Sequence, residues 1–295
     1  IGGLGVIVLA IAILPLLGVG GMQLYRGDAP GPRKEGRLAP RVAQTARYLW
    51  LFYSALTVLC VLALRWAGMG WFDAVCHAFS TISLGGFSTH DRNIAFFDSW
   101  AIEAVLGVFM MIAVLNFGTH FVALRHRSPL AYWRDSEAKM VWLVILGSAL
   151  MLGAYLWLQG AESDPRRLTR QVLFATVSMA TTTGFVASDF MRWPAFASLW
   201  LLMLCACGAS AGSTGGGIKM IRVIVLLRHA GRELARIVHP RAVVPVRVSG
   251  SIVENRVLLA VLGYMLLYGA TVIVLSFVMM ASGMPILPTS WSTAP

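Results

Sequence analysis

The sequence predicts an all-α polytopic membrane protein made of repeated units. Each unit is a long apolar helix, a short amphipathic helix, a glycine loop and a second long helix. Three observations predict this. Apolar residues make up 58% of the 295 residues, charged ones only 13%, and mean hydropathy is +0.73. Apolar runs of about 20 residues recur, enough to cross a hydrocarbon core of roughly 30 Å. Finally, two polar glycine loops, Ser80–Phe87 and Ser178–Phe185, sit between such runs, with Gly86 and Gly184 separated by 98 positions (184 − 86).

The predicted membrane segments are 1–17, 44–66, 99–124, 139–159, 194–230 (interrupted) and 254–281. Two amphipathic runs, 71–83 and 168–181, are too short to span and read as re-entrant pore helices. Superposing the chain on Gly86 and Gly184 gives one order twice: span, short helix, glycine loop, aspartate, span. Residues 44–138 are then a complete second repeat and 139–240 a complete third, with its inner helix broken within 194–230. Residues 1–43 fit the end of a first repeat, its last span plus a cytoplasmic loop. Residues 241–295 fit the start of a fourth.

The net charge of +11 raises nucleic acid as a partner, but its distribution argues against that. Of 24 Lys and Arg, six lie in 26–47, four in 125–139 and eight in 219–256. Such clusters between spans mark cytoplasmic loops by the positive-inside rule. Both glycine loops then face outward, and the basic loops can touch anionic membrane lipid or a cytoplasmic protein. Cys60, Cys76, Cys205 and Cys207 fall in or beside apolar segments. Their spacing makes no zinc site, and no disulfide is expected. Ile1-Gly-Gly-Leu-Gly runs directly into an apolar helix, so no signal peptide is expected, and the sequence reads as truncated at both ends.

A polar loop at membrane depth leaves backbone groups unsatisfied unless it lines a water- or ion-filled cavity. One such loop alone reads as an extracellular turn; two at matching positions point to a repeated ion-coordinating element. Thr81, Ser83 and Thr181–Thr183 supply hydroxyls, and Gly85, Gly86 and Gly184 allow unusual backbone angles. Carbonyls aimed at a common axis can replace the hydration shell of K⁺. A helix ending just before the loop turns the negative end of its dipole toward a cation. The candidate filter carbonyls are those of Ser83, Leu84, Gly85 and Gly86 in one loop and Thr181, Thr182, Thr183 and Gly184 in the other. Asp91 and Asp189 are candidates for an outer mouth that attracts cations, or for caps of the turn or following helix. The fold class is therefore that of a K⁺-channel-like pore, with K⁺ as the transported ion and no covalently bound cofactor.

The segment 194–230 cannot be one regular helix. Apolar Ala197–Cys207 gives way to Gly208-Ala-Ser-Ala-Gly-Ser-Thr-Gly-Gly-Gly217, and each glycine costs a helix roughly 1 kcal/mol relative to alanine. Lying below the filter, Gly208, Ser210, Gly212, Ser213, Thr214, Gly215, Gly216 and Gly217 form a candidate gate loop. Lys219 and Arg222 mark a cytoplasmic exit, or snorkel at the interface. Two enzyme signatures nearly fit. Gly208-Ala-Ser-Ala-Gly212 matches the G-x-S-x-G nucleophile pattern, which would make Ser210 the nucleophile of an intramembrane serine hydrolase. Such an enzyme needs a base within reach, and 254–281 has no histidine. Gly212–Lys219 misses the phosphate-binding loop because Ile218 precedes Lys219 and no Ser or Thr follows it. The chain is not expected to be an enzyme. Another alternative is a secondary cation transporter with its site at the broken helix.

Thr81-Ile-Ser-Leu-Gly-Gly-Phe-Ser-Thr-His-Asp91, Thr181-Thr-Thr-Gly-Phe185, Ala211-Gly-Ser-Thr-Gly-Gly-Gly-Ile-Lys219 and Ala10–Leu24 resemble the TrkH family of bacterial potassium-uptake proteins, within the Trk/Ktr/HKT superfamily. The likeness covers nearly the whole chain, 286–295 excepted. It implies four span–pore–span repeats around one pore, with Gly86 and Gly184 as filter glycines of the second and third. It implies that 208–217 is the intramembrane gate, that the protein forms a homodimer in the bacterial inner membrane, and that a cytoplasmic TrkA-type nucleotide-binding subunit regulates it. With two of four filter loops, the chain is expected to be a stretch of a longer product that would not conduct alone.

Overall fold

The computed structural model describes residues 42–126, 128, 130–239, 245–248 and 251–282. The predicted span over 1–17, much of the first basic cluster and the tail 286–295 lie outside the described residues.

Ten helices follow in order among the described residues: α1 Val42–Trp66, α2 Trp71–Ile82, α3 Trp100–Ala113, α4 Phe117–Arg125, α5 Leu130–Arg134, α6 Ser136–Leu158, α7 Pro165–Ala180, α8 Ala195–Cys207, α9 Met220–Val238 and α10 Asn255–Ala281. A two-residue antiparallel pairing, β1 Arg247–Val248 with β2 Ser251–Ile252, precedes α10. Tyr48–Trp66 of α1, α6 and α10 are each long and apolar enough to cross a membrane.

The two units are visible as packing. The short helix α2 lies against α1 and α3, and α7 lies against α6 and α8. The units join where α7 meets α3. Arg170 of α7 is bonded there to Glu103 of α3 through Nε (2.8 Å) and Nη2 (2.9 Å), and its Nη2 also reaches Asp98 at 2.9 Å. Glu103 is only 5% exposed, so this two-point geometry satisfies a carboxylate that would be costly to bury alone. A continuous apolar core runs between the units through Ile82, Leu106, Met110, Phe117, Phe185 and Leu201. By contrast, α10 fully buries only Leu258 and Val261, with Val257 and Leu262 half-buried against the core, and most of its large apolar side chains from Leu266 onward are exposed.

Helix starts follow from local chemistry. Asp135 accepts from Glu137 N (3.0 Å) at the head of α6. Asp164 accepts from Arg166 N (3.0 Å) at the head of α7, where Pro165 takes a position whose missing N–H costs nothing.

One predicted span needs correction. Residues 99–124 are not one straight helix: α3 and α4 meet at 92°. The break at 114–116 contains neither glycine nor proline. It is made by Asn116, which is extended and whose side chain accepts from Gly118 N at 2.8 Å, starting a new helix.

Candidate functional site

The two short helices end in the same way. After α2, Leu84 N donates to Thr81 O (3.1 Å) and Gly85 N to Ser80 O (2.8 Å); after α7, Thr182 N donates to Met179 O (3.0 Å) and Thr183 N to Ser178 O (3.0 Å). This is the Schellman closure, which requires a left-handed residue just past the helix. Leu84 (φ +54°) and Thr182 (φ +61°) supply it. Neither is glycine, and a β-branched threonine in this region is a genuine outlier that its surroundings must hold. Two residues on, Gly86 (φ +69°) and Gly184 (φ +83°) turn left-handed again.

Changes in the sign of φ along each loop keep the carbonyls from being consumed as they would be in a strand ladder or helix. Among the described residues, the carbonyls of Ser83, Leu84, Gly85, Thr181, Thr182, Thr183 and Gly184 accept no hydrogen bond from the protein. Unpaired backbone carbonyls are rare in folded proteins. Here they gather beyond the negative ends of two helices. The loops also touch: a Cβ at Gly86 would lie 2.0 Å from Thr183 O. Gly184, by contrast, has open space where a Cβ would go.

Side chains fix each loop from behind. Ser178 Oγ donates to Phe185 O (2.8 Å), and Thr181 and Thr183 share a hydroxyl–hydroxyl bond of 2.7 Å. On the first loop, buried His77 joins Asp73 O (2.7 Å) to Ser88 Oγ (2.9 Å). Asp73 accepts from Thr89 Oγ1 (2.6 Å) and faces His90. The Thr89 hydroxyl, with a smaller contribution from His90, holds the Asp73 carboxyl below the usual carboxylate range against the opposing effect of burial. Asp91 and Asp189 are both exposed. Asp189 pairs with Arg192 (2.8 Å) and makes no side-chain cap for the 3-10 turn that follows it.

The broken helix lies directly against both loops. A Cβ at Gly208 would stand 1.5 Å from Ala180 O, so the chain leaves α8 in backbone contact with the end of α7. Thr214 Oγ1 donates to Ile82 O (2.9 Å) at the end of α2, and Gly216 N to Thr182 Oγ1 (2.9 Å) beside the end of α7. A Cβ on Gly215 would crowd Ala209, Thr182 and Leu84, so the two left-handed residues of the loops both meet this glycine. Ser213 Oγ donates to Ser210 O (2.7 Å). Ser210 Oγ is buried without a hydrogen-bond partner, while the two nitrogens of His120 engage Tyr132 and Ile112 O.

Lys219 and Arg222 are buried rather than snorkelling outward. Lys219 Nζ folds back to donate to Gly215 O. The Arg222 guanidinium stacks 3.8 Å from the ring centre of Tyr264 on α10. A delocalised guanidinium is weakly hydrated and suits an aromatic face, which is why it is tolerated there.

Two residues that sequence reasoning passed over are central to this arrangement. Glu137, at the head of α6 and 3% exposed, accepts from Ala211 N (3.0 Å) and Ile221 N (3.1 Å) through one oxygen. It thereby ties the glycine segment, at Ala211, and the start of α9, at Ile221, to α6. Asn93, in the loop after Asp91, bonds to Gly86 O of the first carbonyl loop and to Val186 N, two residues past Gly184 of the second. The only local signal for either was a polar residue beside an apolar run.

Paired membrane helices carrying short re-entrant helices and matched carbonyl loops define a membrane protein of the pore-helix class. The chain belongs to the TrkH family: the family model described as a cation transport protein matches residues 1–160 and 161–288. The chain is 46% identical over 282 residues to the Trk system potassium uptake protein TrkH of Escherichia coli K12, covering 96% of this chain and 58% of that protein. Over 293 residues it is 43% identical to the TrkH of Halomonas elongata, covering 99% of this chain and 60% of that one. Its fold superposes on the crystal structure of the potassium transporter TrkH from Vibrio parahaemolyticus with a TM-score of 0.82 and 41% identity, over 96% of this chain and 57% of that chain. The chain thus spans about three-fifths of the length of these relatives.

Proposed function

We propose that this chain carries two of the carbonyl loops of a K⁺ uptake pathway, together with the gate beneath them. The observation that carries the reading is the pair of Schellman closures that leave seven carbonyls unbonded, facing the ends of two helix dipoles. In this reading, Ser83–Gly86 and Thr181–Gly184 are filter strands of a second and a third repeat, and Asp91 and Asp189 lie at the outer mouth. Residues 208–217 are the gate: they are hydrogen-bonded to the ends of both pore helices, and Lys219 places an ammonium group on their carbonyl at Gly215. A cation passing this level requires the loop and its ammonium to withdraw. Lys219 and Arg222 then belong to the gate's lower wall, on the cytoplasmic side.

The bonds of the broken helix to the ends of both short helices support a gate over the secondary-transporter reading, which would place a cation site within it. The orphaned Ser210 hydroxyl gives no support to a hydrolase. The relatives' names support K⁺ as the ion carried. The positive-inside pattern supports filter loops outward and basic loops cytoplasmic, and the family resemblance supports a bacterial inner-membrane location. Homodimerisation and regulation by a TrkA-type cytoplasmic subunit follow the family resemblance, with the basic loops as the surface available to that partner.

The test is the pair Gly86→Ser and Gly184→Ser in the full-length protein, with the K⁺ over Na⁺ preference of ion uptake measured in liposomes carrying it. Both should lower it, Gly86→Ser more, because its new Cβ meets the Thr183 carbonyl whereas Gly184→Ser suffers only the left-handed backbone, about 1–2 kcal/mol. An unchanged preference in both variants overturns the filter assignment.

A further inference from the structure

The two carbonyl loops come from different repeats, yet an ion would need them at one fixed separation. Their direct contact is Gly86 against Thr183 O. A single side chain also joins the first loop to the residue just past the second. Asn93 Oδ1 accepts from Val186 N (3.2 Å) and from Ile94 N (2.9 Å), while Nδ2 donates to Gly86 O (3.2 Å). Two N–H donors at one end of the amide leave only one orientation, with the NH₂ toward Gly86. Ala95 N adds a backbone bond to Val186 O (3.1 Å), so Asn93 starts a short strip that follows the second loop. The residue itself is left-handed, φ +54°, a conformation asparagine accepts more readily than most side chains.

We infer that Asn93 is a positioning residue for ion selection: its carboxamide sets the separation and register of the two filter loops. Among the described residues, Gly86 is the one carbonyl of the candidate filter set that the protein itself occupies, and Asn93 is what occupies it. Being held from behind, Gly86 fixes how closely the first loop approaches Thr183, and discrimination between K⁺ and Na⁺ depends on the number, spacing and field of such carbonyls. This inference rests on the filter reading above.

The test uses three purified full-length proteins: wild type, Asn93→Gly and Asn93→Asp. Melting temperature is titrated with KCl or NaCl at constant ionic strength balanced with choline chloride. Asn93→Gly keeps the left-handed backbone without strain and loses all three side-chain bonds. Asn93→Asp keeps the acceptor for Val186 and Ile94 and turns a carboxylate oxygen toward Gly86 O. Wild type should be stabilised at lower KCl than NaCl. Loss of hydrogen bonds of ordinary strength should reduce that K⁺/Na⁺ ratio about 3- to 10-fold in Asn93→Gly, and at least as far in Asn93→Asp. A purely structural role would lower the melting temperature in choline and leave the ratio unchanged; that result in both variants overturns the inference and leaves the filter reading standing. Should Asn93→Gly fail to fold, the ratio in Asn93→Asp decides alone. A wild type without K⁺ preference would remove the filter reading itself, and the inference with it.

Discussion

The inner helices of the two repeats break at corresponding places, and the two breaks are built in opposite ways. Shifted by the 98 positions that separate Gly86 and Gly184, residues 114–116 of the first unit align with 212–214 of the second. In the first unit the break is three residues long, closed by the Asn116 cap and turned through 92°. In the second it runs from Gly208 to Lys219, between α8 and α9. The long break is docked on the short one: Ser210 N donates to Val114 O (3.2 Å), and Phe117 N donates to Gly212 O (3.1 Å). A broken helix leaves carbonyls and N–H groups without intrahelical partners. Here the elbow of one repeat offers two such groups, and the loop of the other satisfies them. On the proposed gate reading, the same defect serves as a fixed dock in one repeat and as a removable plug in the other.

The change that should damage this arrangement most is Gly208→Ala. The new methyl would stand 1.5 Å from a main-chain oxygen at the end of α7, an atom that cannot move without displacing the pore helix. Expression with intact folding, followed by size-exclusion chromatography, should be largely lost. Recovery of a wild-type yield with a wild-type melting temperature would show that α8 and α7 are not in backbone contact.

A smaller effect is expected from Glu137, whose single oxygen holds Ala211 N and Ile221 N. Glu137→Ala leaves both N–H groups buried without that acceptor, at about 1–3 kcal/mol each. The loss should fall on the plug, not on the elbow. Amide hydrogen exchange should quicken across 209–217 and stay unchanged across 110–117, with Glu137→Gln restoring most of the protection because its carbonyl still accepts. Equal loosening of both breaks would mean that Glu137 supports the whole interface and that the two breaks do not differ as described.

Much of this was legible in the sequence, and the boundary of legibility is physical. The re-entrant helices over 71–83 and 168–181 and the glycine-rich interruption followed from run length and glycine content, which are local properties. The elbow at 114–116 was hidden because Val114-Leu115-Asn116 keeps the apolar pattern of a continuous span; only Asn116 before Gly118 hinted at a new helix start. Glu137 was hidden for another reason. It looks like an ordinary acidic residue in a first helical turn, and its partners lie 74 and 84 positions away. Arg222 read as an interfacial charge because sequence alone does not show Tyr264 waiting on α10. Local grammar located the loops, whereas the bonds that hold them against each other are long-range.

The smallest expected effect is also the sharpest control on the comparison. Gly107 lies inside α3, seven residues before the elbow, with ordinary helical geometry and no atom within 4 Å of a Cβ built on it. Gly107→Ala should therefore fit without strain and raise helix stability by up to about 1 kcal/mol, visible as a small rise in melting temperature with ion uptake unchanged. The contrast with Gly208→Ala is the point: one glycine serves close backbone approach, and the other sits in open space. A marked fall in melting temperature for Gly107→Ala would mean that the first inner helix must also flex. The elbow would then be a second moving part, and the division between dock and plug would fail.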